Sequence, residues 1–229
     1  MYDIVIIGGG VIGCAVAREL KRWRLKVALC ERGDDVGTGT SKANSAIIHP
    51  GHSAKPGTAM ARLNVIGNQL YDQLCRELDV PFQRCGSLTV AFAEEELPAL
   101  EGVYQDGLAN GVPDMRRLDR DELRQREPNL NPEAVAALFA PTGAIVCPYE
   151  LTAGLAENAA ANGVDFRLNT TVTQVKRNSR GWTVCTDQGD LDCAVVVNAA
   201  GLYADVFNNQ VSEMFTYHFI VIKHFDWFL

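Results

Sequence analysis

The sequence predicts an α/β fold in which one domain is made of two separate segments of the chain and carries an inserted α+β domain. The first observation is an apolar run at residues 2–7 that leads directly into a glycine-rich turn. The second is a proline-punctuated middle region of different character, and the third is a return to short β-prone runs that end in the small-residue turn 198–201. A domain that starts, is interrupted and then resumes explains this order.

The N-terminal segment has the order strand, glycine turn, helix, strand and acid. Residues 2–7 are followed by Gly8, Gly10 and Gly13 in a G-x-G-x-x-G pattern, and Glu31 closes the next apolar run. Gly8 permits the tight turn, Gly10 has no Cβ to keep the backbone from a pyrophosphate, and Gly13 lets the helix pack on the strand. The helix N-terminus favours phosphates, and Glu31 can accept hydrogen bonds from ribose hydroxyls. The segment predicts a Rossmann-like dinucleotide site; the alternative is a tight turn in another α/β fold.

The later elements follow from hydrophobic spacing and turn residues. Apolar residues recur every three or four positions from 58 to 78, which predicts a helix, and residues 86–92 predict a strand. Helical segments bounded by Pro98, Pro113, Pro128 and Pro132 are then expected. An alanine-rich helix at 150–162 follows and ends at Gly163. Four β-prone runs follow, at residues 164–168, 172–176, 182–186 and 191–197.

These elements divide the chain into four parts. Residues 1–80 and 142–213 are the two segments of the nucleotide-binding domain, and residues 81–141 are part of the inserted substrate domain. Residues 214–229 stand apart because six of the 18 aromatic residues fall within the last 15 positions.

Composition narrows the class of partner. A net charge of −7 argues against nucleic acid or an anionic membrane surface as the main partner. The seven cysteines form no C-x-x-C pair, which favours a reduced, cytoplasmic setting. We expect no signal peptide, because the N-terminal apolar run is only a strand long and lacks a basic leader, and no apolar stretch approaches the roughly 20 residues of a membrane span. Peripheral membrane contact through the aromatic end stays open.

Together with residues 40–49, the glycine motif resembles that of the FAD-dependent oxidoreductases of the D-amino-acid oxidase-like superfamily. Among these, the chain is most similar to the FAD-dependent glycerol-3-phosphate dehydrogenases and oxidases, with L-2-hydroxyglutarate oxidase next. The resemblance runs from residue 1 to about residue 212, and it implies FAD rather than NAD as the cofactor. Further segments that carry it are residues 78–82, 127–130, 146–150 and 198–201.

The resemblance implies cofactor contacts beyond the glycine motif. Small residues at 199–201 let main-chain N–H groups approach the diphosphate, and Val172 would contact the adenine end through its backbone. Polar side chains at 40–45 can hydrogen-bond the flavin, although such composition alone is typical of a solvated loop. The predicted cofactor-binding residues are Gly8, Gly10, Val11, Ile12, Gly13, Glu31, Arg32, Thr40, Ser41, Lys42, Asn44, Ser45, Val172, Ala199, Ala200 and Gly201.

His49 is the candidate catalytic base. Oxidation of a secondary alcohol moves a hydride to flavin N5 while a base takes the hydroxyl proton, and imidazole suits that task. The family that the chain resembles carries a histidine at the position after the Ala-Ile-Ile run, and the resemblance implies that His49 has this role. Without the resemblance, a single histidine at the end of a strand is more often structural. We expect His52 to face solvent and predict no metal site, because no further ligands occur at usable spacing. Lys55 and Arg62 can attract an anionic substrate or be ordinary surface residues.

The leading hypothesis is therefore an FAD-dependent dehydrogenase or oxidase acting on the CH–OH group of a small anionic substrate, glycerol 3-phosphate or a 2-hydroxy acid. The alternatives are an amine or amino-acid oxidase of the same superfamily, an inactive truncated nucleotide-binding fragment and, more weakly, an NAD(P)-binding dehydrogenase. The electron acceptor is open among quinone, oxygen and another protein. Because residues 214–229 match nothing in the resemblance, we expect a C-terminally truncated chain or a shifted reading frame near residue 213, the alternatives being a genuine β-strand tail or a membrane-touching end.

Overall fold

The computed structural model describes residues 1–211 and the strand Phe219–Val221. Its strands are β1 (Tyr2–Ile7), β2 (Val27–Cys30), β3 (Ile47–Ile48), β4 (Phe82–Gln83), β5 (Ser87–Ala91), β6 (Arg116–Asp119), β7 (Ala136–Ala140), β8 (Ala144–Val146), β9 (Asp165–Arg167), β10 (Val172–Asn178), β11 (Gly181–Thr186), β12 (Leu191–Asn198) and β13 (Phe219–Val221). Its α-helices are α1 (Val11–Leu20), α2 (Ala59–Leu78), α3 (Leu97–Ala109), α4 (Arg120–Arg126), α5 (Pro148–Ala161) and α6 (Ala204–Val211). Short 3₁₀ helices lie at Thr40–Lys42, Glu94–Glu96 and Gly201–Tyr203.

The contacts divide the chain into two compact units. The first unit joins Met1–Ser45 to Pro148–Leu229, and the second unit is Ala46–Cys147. The first unit is therefore discontinuous in sequence. The sequence prediction begins the insert at residue 81, whereas the second unit already includes α2. Val65 of α2 packs against a buried cluster that contains Val112 and Met115, and this contact assigns the helix to the second unit.

The first unit is built on one seven-stranded sheet in the order β10-β11-β12-β1-β2-β9, with β13 also paired to β12. β1 runs parallel to both β12 and β2, with Ile7 opposite Asn198 on one side and Cys30 on the other. β2 is buried along its whole length, as is the second half of β1, which explains their continuous apolar sequence. The carboxyl ends of β1, β2 and β12 consequently meet at one edge of the sheet.

The second unit contains two small antiparallel sheets. One has the order β3-β8-β4 and the other β5-β7-β6. Two buried clusters lie against the second sheet: one is centred on Leu118, Leu123 and Phe139, and the other includes Leu138 and Met115. Among the described residues, no helix combines the length and the apolar character that a bilayer crossing requires.

The predicted α/β fold class is confirmed, and one stretch of the secondary structure is wrong. The predicted helix at 58–78, the strand at 86–92, the helix at 150–162 and the four later β runs correspond to α2, β5, α5 and β9–β12. The proline-bounded middle was predicted to be helical, but it also contains β6 and β7. β7 reads Ala-Ala-Leu-Phe-Ala, a composition poor in β-branched residues, and it is a strand because it pairs with both β5 and β6 in a buried position.

Candidate functional site

A crevice of about 710 Å³ opens in the first unit where the strands β1, β2 and β12 end. This is the sheet edge at which parallel α/β folds bind their ligands. Its walls come from the glycine turn, the loop after β2, the start of β10, and the turn and helix after β12. The described residues that line it are Ile7, Gly8, Gly10, Val11, Ile12, Cys30, Glu31, Arg32, Thr38, Gly39, Thr40, Ser41, Thr170, Thr171, Val172, Ala199, Ala200, Gly201, Leu202, Tyr203, Val206 and Phe207.

Three glycines shape the turn at the floor of the crevice. Gly8 has a φ of +105°, and a Cβ there would lie 2.5 Å from the carbonyl oxygen of Ala199. Gly10 precedes α1, and its own Cβ would lie 3.2 Å from the Ser41 hydroxyl. Gly13 lies behind the crevice, where a Cβ would collide with the Gly8 carbonyl oxygen. Gly8 therefore lets the turn lie against the end of β12, Gly10 leaves room for the Ser41 hydroxyl, and Gly13 lets α1 pack against the end of β1.

Glu31 ties the glycine turn to the loop after β2. Its Oε2 accepts a hydrogen bond from the Gly9 N–H at 2.7 Å, and its Oε1 accepts one from the Gly33 N–H at 2.8 Å. The backbone N–H of Thr170 also donates to the Glu31 carbonyl at 2.9 Å, which brings the start of the β10 segment to the same wall. Each carboxylate oxygen has a further lone pair, so Glu31 can still accept a ribose hydroxyl.

The loop at 40–45 contributes one direct contact to α1. The hydroxyl of Ser41 accepts a hydrogen bond from the Val11 N–H at 2.9 Å and so caps the helix. Asn44 donates to the carbonyls of Thr40 at 3.4 Å and Ser41 at 3.0 Å, which holds the 3₁₀ helix in shape. Thr40 and Ser41 line the crevice, whereas four of the predicted cofactor residues do not: Gly13, Lys42, Asn44 and Ser45.

Sequence reasoning predicted the turn 199–201 after β12 but missed the part of the wall that continues beyond it. Tyr203 lines the crevice, and the guanidinium carbon of Arg32 lies 4.3 Å from the centroid of its ring. Val206 and Phe207 of α6 extend the same wall. The position of α6 after the small-residue turn was the available signal, since a helix that follows a central parallel strand starts at the ligand-binding edge.

His49 lies in the second unit directly after β3, and its side chain is exposed. Its backbone carbonyl accepts a hydrogen bond from the Asn68 side chain at 3.0 Å. Partial burial of the ring lowers the pKa of His49 below its ordinary value. The imidazole is therefore neutral at neutral pH, which is the form a general base requires.

The expectation that His52 faces solvent is wrong. Only 6% of its surface is exposed, and its Nε2 lies 3.3 Å from the Thr89 hydroxyl. The turn that carries it folds against α3, where Gly107 has no side chain to keep the histidine away. Burial, followed by the nearby His49, lowers the pKa of His52. No group of three or more His, Cys, Asp or Glu side chains suited to a metal ion occurs within the part of the chain that the structure describes.

Comparison with known proteins places these features in a family. The family model "DAO: FAD dependent oxidoreductase" matches residues 3–225, so the match includes part of the aromatic segment that the sequence analysis sets outside the family. A glycerol 3-phosphate dehydrogenase from Caloramator mitchellensis is 48% identical over 93% of this chain and 44% of its own length. A glycerol 3-phosphate oxidase from Mycoplasma pneumoniae is 36% identical over 89% of this chain and 55% of its own length. The L-2-hydroxyglutarate dehydrogenase of an Escherichia coli strain is 31% identical over 90% of this chain and 49% of its own length.

The chain is also similar in fold to solved structures of related oxidases. Dithionite-reduced L-α-glycerophosphate oxidase from Mycoplasma pneumoniae with FAD bound has a TM-score of 0.86 and 35% identity, covering 91% of this chain and 56% of that chain. Glycine oxidase from Geobacillus kaustophilus has the same TM-score at 28% identity, covering 92% of this chain and 58% of that chain. The chain spans about half the length of the curated relatives it matches.

The family match confirms the predicted resemblance and the predicted cofactor, FAD. It also agrees with the glycine turn, the acid after β2 and the crevice at the edge of the sheet. This chain belongs to the DAO family of FAD-dependent oxidoreductases.

Proposed function

We propose that the protein oxidises the secondary alcohol of a small anionic substrate, with glycerol 3-phosphate as the first candidate. The observation that carries the proposal is the 48% identity to a glycerol 3-phosphate dehydrogenase across 93% of this chain. A glycerol 3-phosphate oxidase and an L-2-hydroxyglutarate dehydrogenase, which also act on hydroxyl-bearing carbon, are further relatives. The electron acceptor is open among quinone, oxygen and a protein.

The crevice fits the cofactor of the family. Gly8 lets the turn lie close to the backbone of Ala199, and Gly10 lines the crevice without a side chain, so main-chain N–H groups at the start of α1 would be available to a diphosphate. Glu31 would accept the ribose hydroxyls, and Ala200 and Gly201 would offer main-chain N–H groups to the diphosphate. FAD, when bound, supplies the hydride acceptor at flavin N5. Val11, Ile12, Arg32, Thr40, Ser41, Val172 and Ala199 would complete the surrounding wall.

His49 would remove the hydroxyl proton of the substrate. Its neutral ring, exposed side chain and position after the short strand β3 support this role. The proton would be accepted at a ring nitrogen as the C–H hydride leaves, so that a ketone is the product. Lys55 and Arg62 are both exposed in the second unit and are candidates for attracting the anionic group.

A second candidate is oxidation of an amino acid, which the similarity to glycine oxidase favours. An amine substrate can lose its proton to solvent before hydride transfer, so His49 would not be required as a base. The two reactions therefore differ in their dependence on this residue.

The test measures turnover of the FAD-loaded protein with glycerol 3-phosphate, L-2-hydroxyglutarate and glycine, with oxygen and a quinone analogue offered as acceptors. We expect turnover with glycerol 3-phosphate and a fall of about 10²–10⁴-fold in His49→Asn with the flavin retained. The control is Ser53→Ala, an exposed position in the same turn, which should keep full activity. Turnover of glycine alone, or an unchanged rate in His49→Asn, would overturn the proposal.

A further inference from the structure

Asn68 of α2 is a buried polar residue whose amide is fully used. It is 4% exposed, and its Nδ2 donates to the carbonyl of His49 at 3.0 Å and to the carbonyl of Thr142 at 2.9 Å. Two hydrogens on one nitrogen are needed to serve both carbonyls, which a hydroxyl or a carboxylate cannot supply. Asn68 thus joins the backbone of His49 to the turn before β8.

Arg84 fixes which way this amide points. Its Nη1 donates to the Asn68 Oδ1 at 3.0 Å and its Nη2 donates to the Asn68 carbonyl at 2.8 Å. A flipped amide would place the NH₂ group against the guanidinium, where two donors would face each other. The donor edge of Asn68 is therefore directed at His49.

Asp72, one helical turn after Asn68, holds the guanidinium in place. Nε of Arg84 donates to both carboxylate oxygens, at 3.1 and 3.0 Å, and Nη2 pairs with the same group. The hydrogen bond from Arg84 lowers the pKa of Asp72, so the pair stays charged at neutral pH. The chain of contacts runs from Asp72 through Arg84 and Asn68 to His49.

The hydrogen bond from Asn68 reaches the backbone of His49 just after the end of a short strand. β3 has only two residues, and its ladder with β8 pairs Ile47 with Ile145 and Ile48 with Ala144. The carbonyl of His49 lies beyond the last of these pairs, so the sheet does not hold it. Asn68 supplies the hydrogen bond at the point where the strand ends.

We propose that Asn68 is the positioning residue of His49, with Arg84 and Asp72 fixing its orientation. Asn68 is buried and would act through the backbone from which the His49 ring projects. The inference rests on the proposed role of His49 as the base.

The test follows the His49 ring by NMR titration of the whole chain. Asn68→Leu keeps the size of the side chain, adds no charge and removes the hydrogen bond to His49. The matched control is Asn110→Leu, because Asn110 also donates from one amide nitrogen to two carbonyls, those of Gly51 at 2.9 Å and Ala54 at 2.6 Å in the turn after His49. Arg84→Gln is the second variant, which leaves Asn68 in place but releases its orientation.

We expect the His49 midpoint to rise towards about 6.5 in Asn68→Leu and, less strongly, in Arg84→Gln, because a released ring is less buried. Asn110→Leu should leave that midpoint unchanged. In the FAD-loaded protein, Asn68→Leu should lower kcat by about ten- to a hundredfold with little change in KM.

Two outcomes overturn the positioning role. One is a His49 titration in Asn68→Leu and Arg84→Gln that is the same as in Asn110→Leu; the other is an equal loss of kcat in all three variants. If the unsubstituted protein turns over no alcohol substrate, the proposed function fails, and the NMR titration still decides whether Asn68 positions His49.

Discussion

Gly13 and Gly67 are both helical glycines, but only one has room for a side chain. A Cβ on Gly13 would collide with the Gly8 carbonyl oxygen, whereas a Cβ on Gly67 would meet nothing within 4 Å. We expect Gly13→Ala to destabilise the protein by about 1–3 kcal/mol, since the backbone at the crevice floor must shift. Gly67→Ala should stabilise it by about 0.5–1 kcal/mol, since alanine loses less backbone entropy in a helix.

Urea unfolding of both variants checks this prediction, with the midpoint and the slope compared with those of the unsubstituted chain. An unchanged or raised midpoint in Gly13→Ala would contradict the close packing of α1 on β1, and a lowered midpoint in Gly67→Ala would contradict the open space described at that position.

Single residues in the glycine motif could be predicted from sequence because their task is local. Gly8, Gly10 and Glu31 lie within one strand–turn–helix–strand segment, where spacing alone determines geometry. Tyr203 was missed because it reaches the crevice through the pairing of β12 with β1, and the only signal for its wall was the position of α6 after the small-residue turn. The burial of His52 was equally hidden, since it depends on how α3 packs over the turn.

The turn between β3 and α2 makes the stability of the second unit sensitive to acid. His52 is buried there with a lowered pKa, so the unfolded chain takes up a proton at a higher pH than the folded chain does. The stabilisation that buried, neutral His52 gives the folded state is fully present above the ordinary histidine pKa of about 6.5 and is lost as pH falls through the pKa of the folded state. Its size is about 1.4 kcal/mol for each unit by which the pKa is lowered.

We therefore expect the unfolding free energy to decrease between pH 7 and pH 5, and this decrease to be smaller in His52→Gln. Glutamine keeps a polar group near Thr89 but does not titrate. Chemical unfolding at a series of pH values measures the two slopes; parallel slopes for the two proteins would contradict the assignment.

At the level of elements, regular spacing of apolar residues was sufficient to predict a helix, whereas amino-acid composition was not sufficient to predict a strand. α2 could be predicted because its apolar residues recur at helical spacing. β7 could not, because an alanine-rich segment becomes a strand only through its neighbours β5 and β6. Thr58, whose hydroxyl accepts from the Ala61 N–H at 3.2 Å, marks the start of α2 and was a local signal.

For the whole molecule, the cysteines report whether the sheet core has formed. Burial raises the pKa of Cys14 and Cys193 to about 12 and that of Cys30 to about 11, whereas Cys85 and Cys147 are exposed. With a disulfide reagent at pH 8, we expect the exposed thiols of Cys85 and Cys147 to react fast and the other five thiols slowly, because the thiolate is the reactive form.

All seven thiols should react fast in denaturant. The double variant Cys85→Ser, Cys147→Ser should lose the fast phase under native conditions. A fast phase that persists in that variant would mean that the central sheet exposes its cysteines.

The discontinuity of the first unit was predictable as a principle, but its boundary was not. The glycine turn and the small-residue turn at 198–201 indicated two ends of one domain, and β1 pairs with β12 as that interpretation requires. The limits Ser45 and Pro148 depend on contacts of α2 that no local pattern records.

This arrangement has a consequence for biosynthesis. On the ribosome, β1 is made well before its partner β12, which begins only at Leu191. At about 5–20 residues per second, translation takes roughly ten seconds or more to deliver that strand. Throughout this interval β1 lacks the strand that pairs with one of its edges, and an unpaired apolar edge of this kind is prone to aggregation.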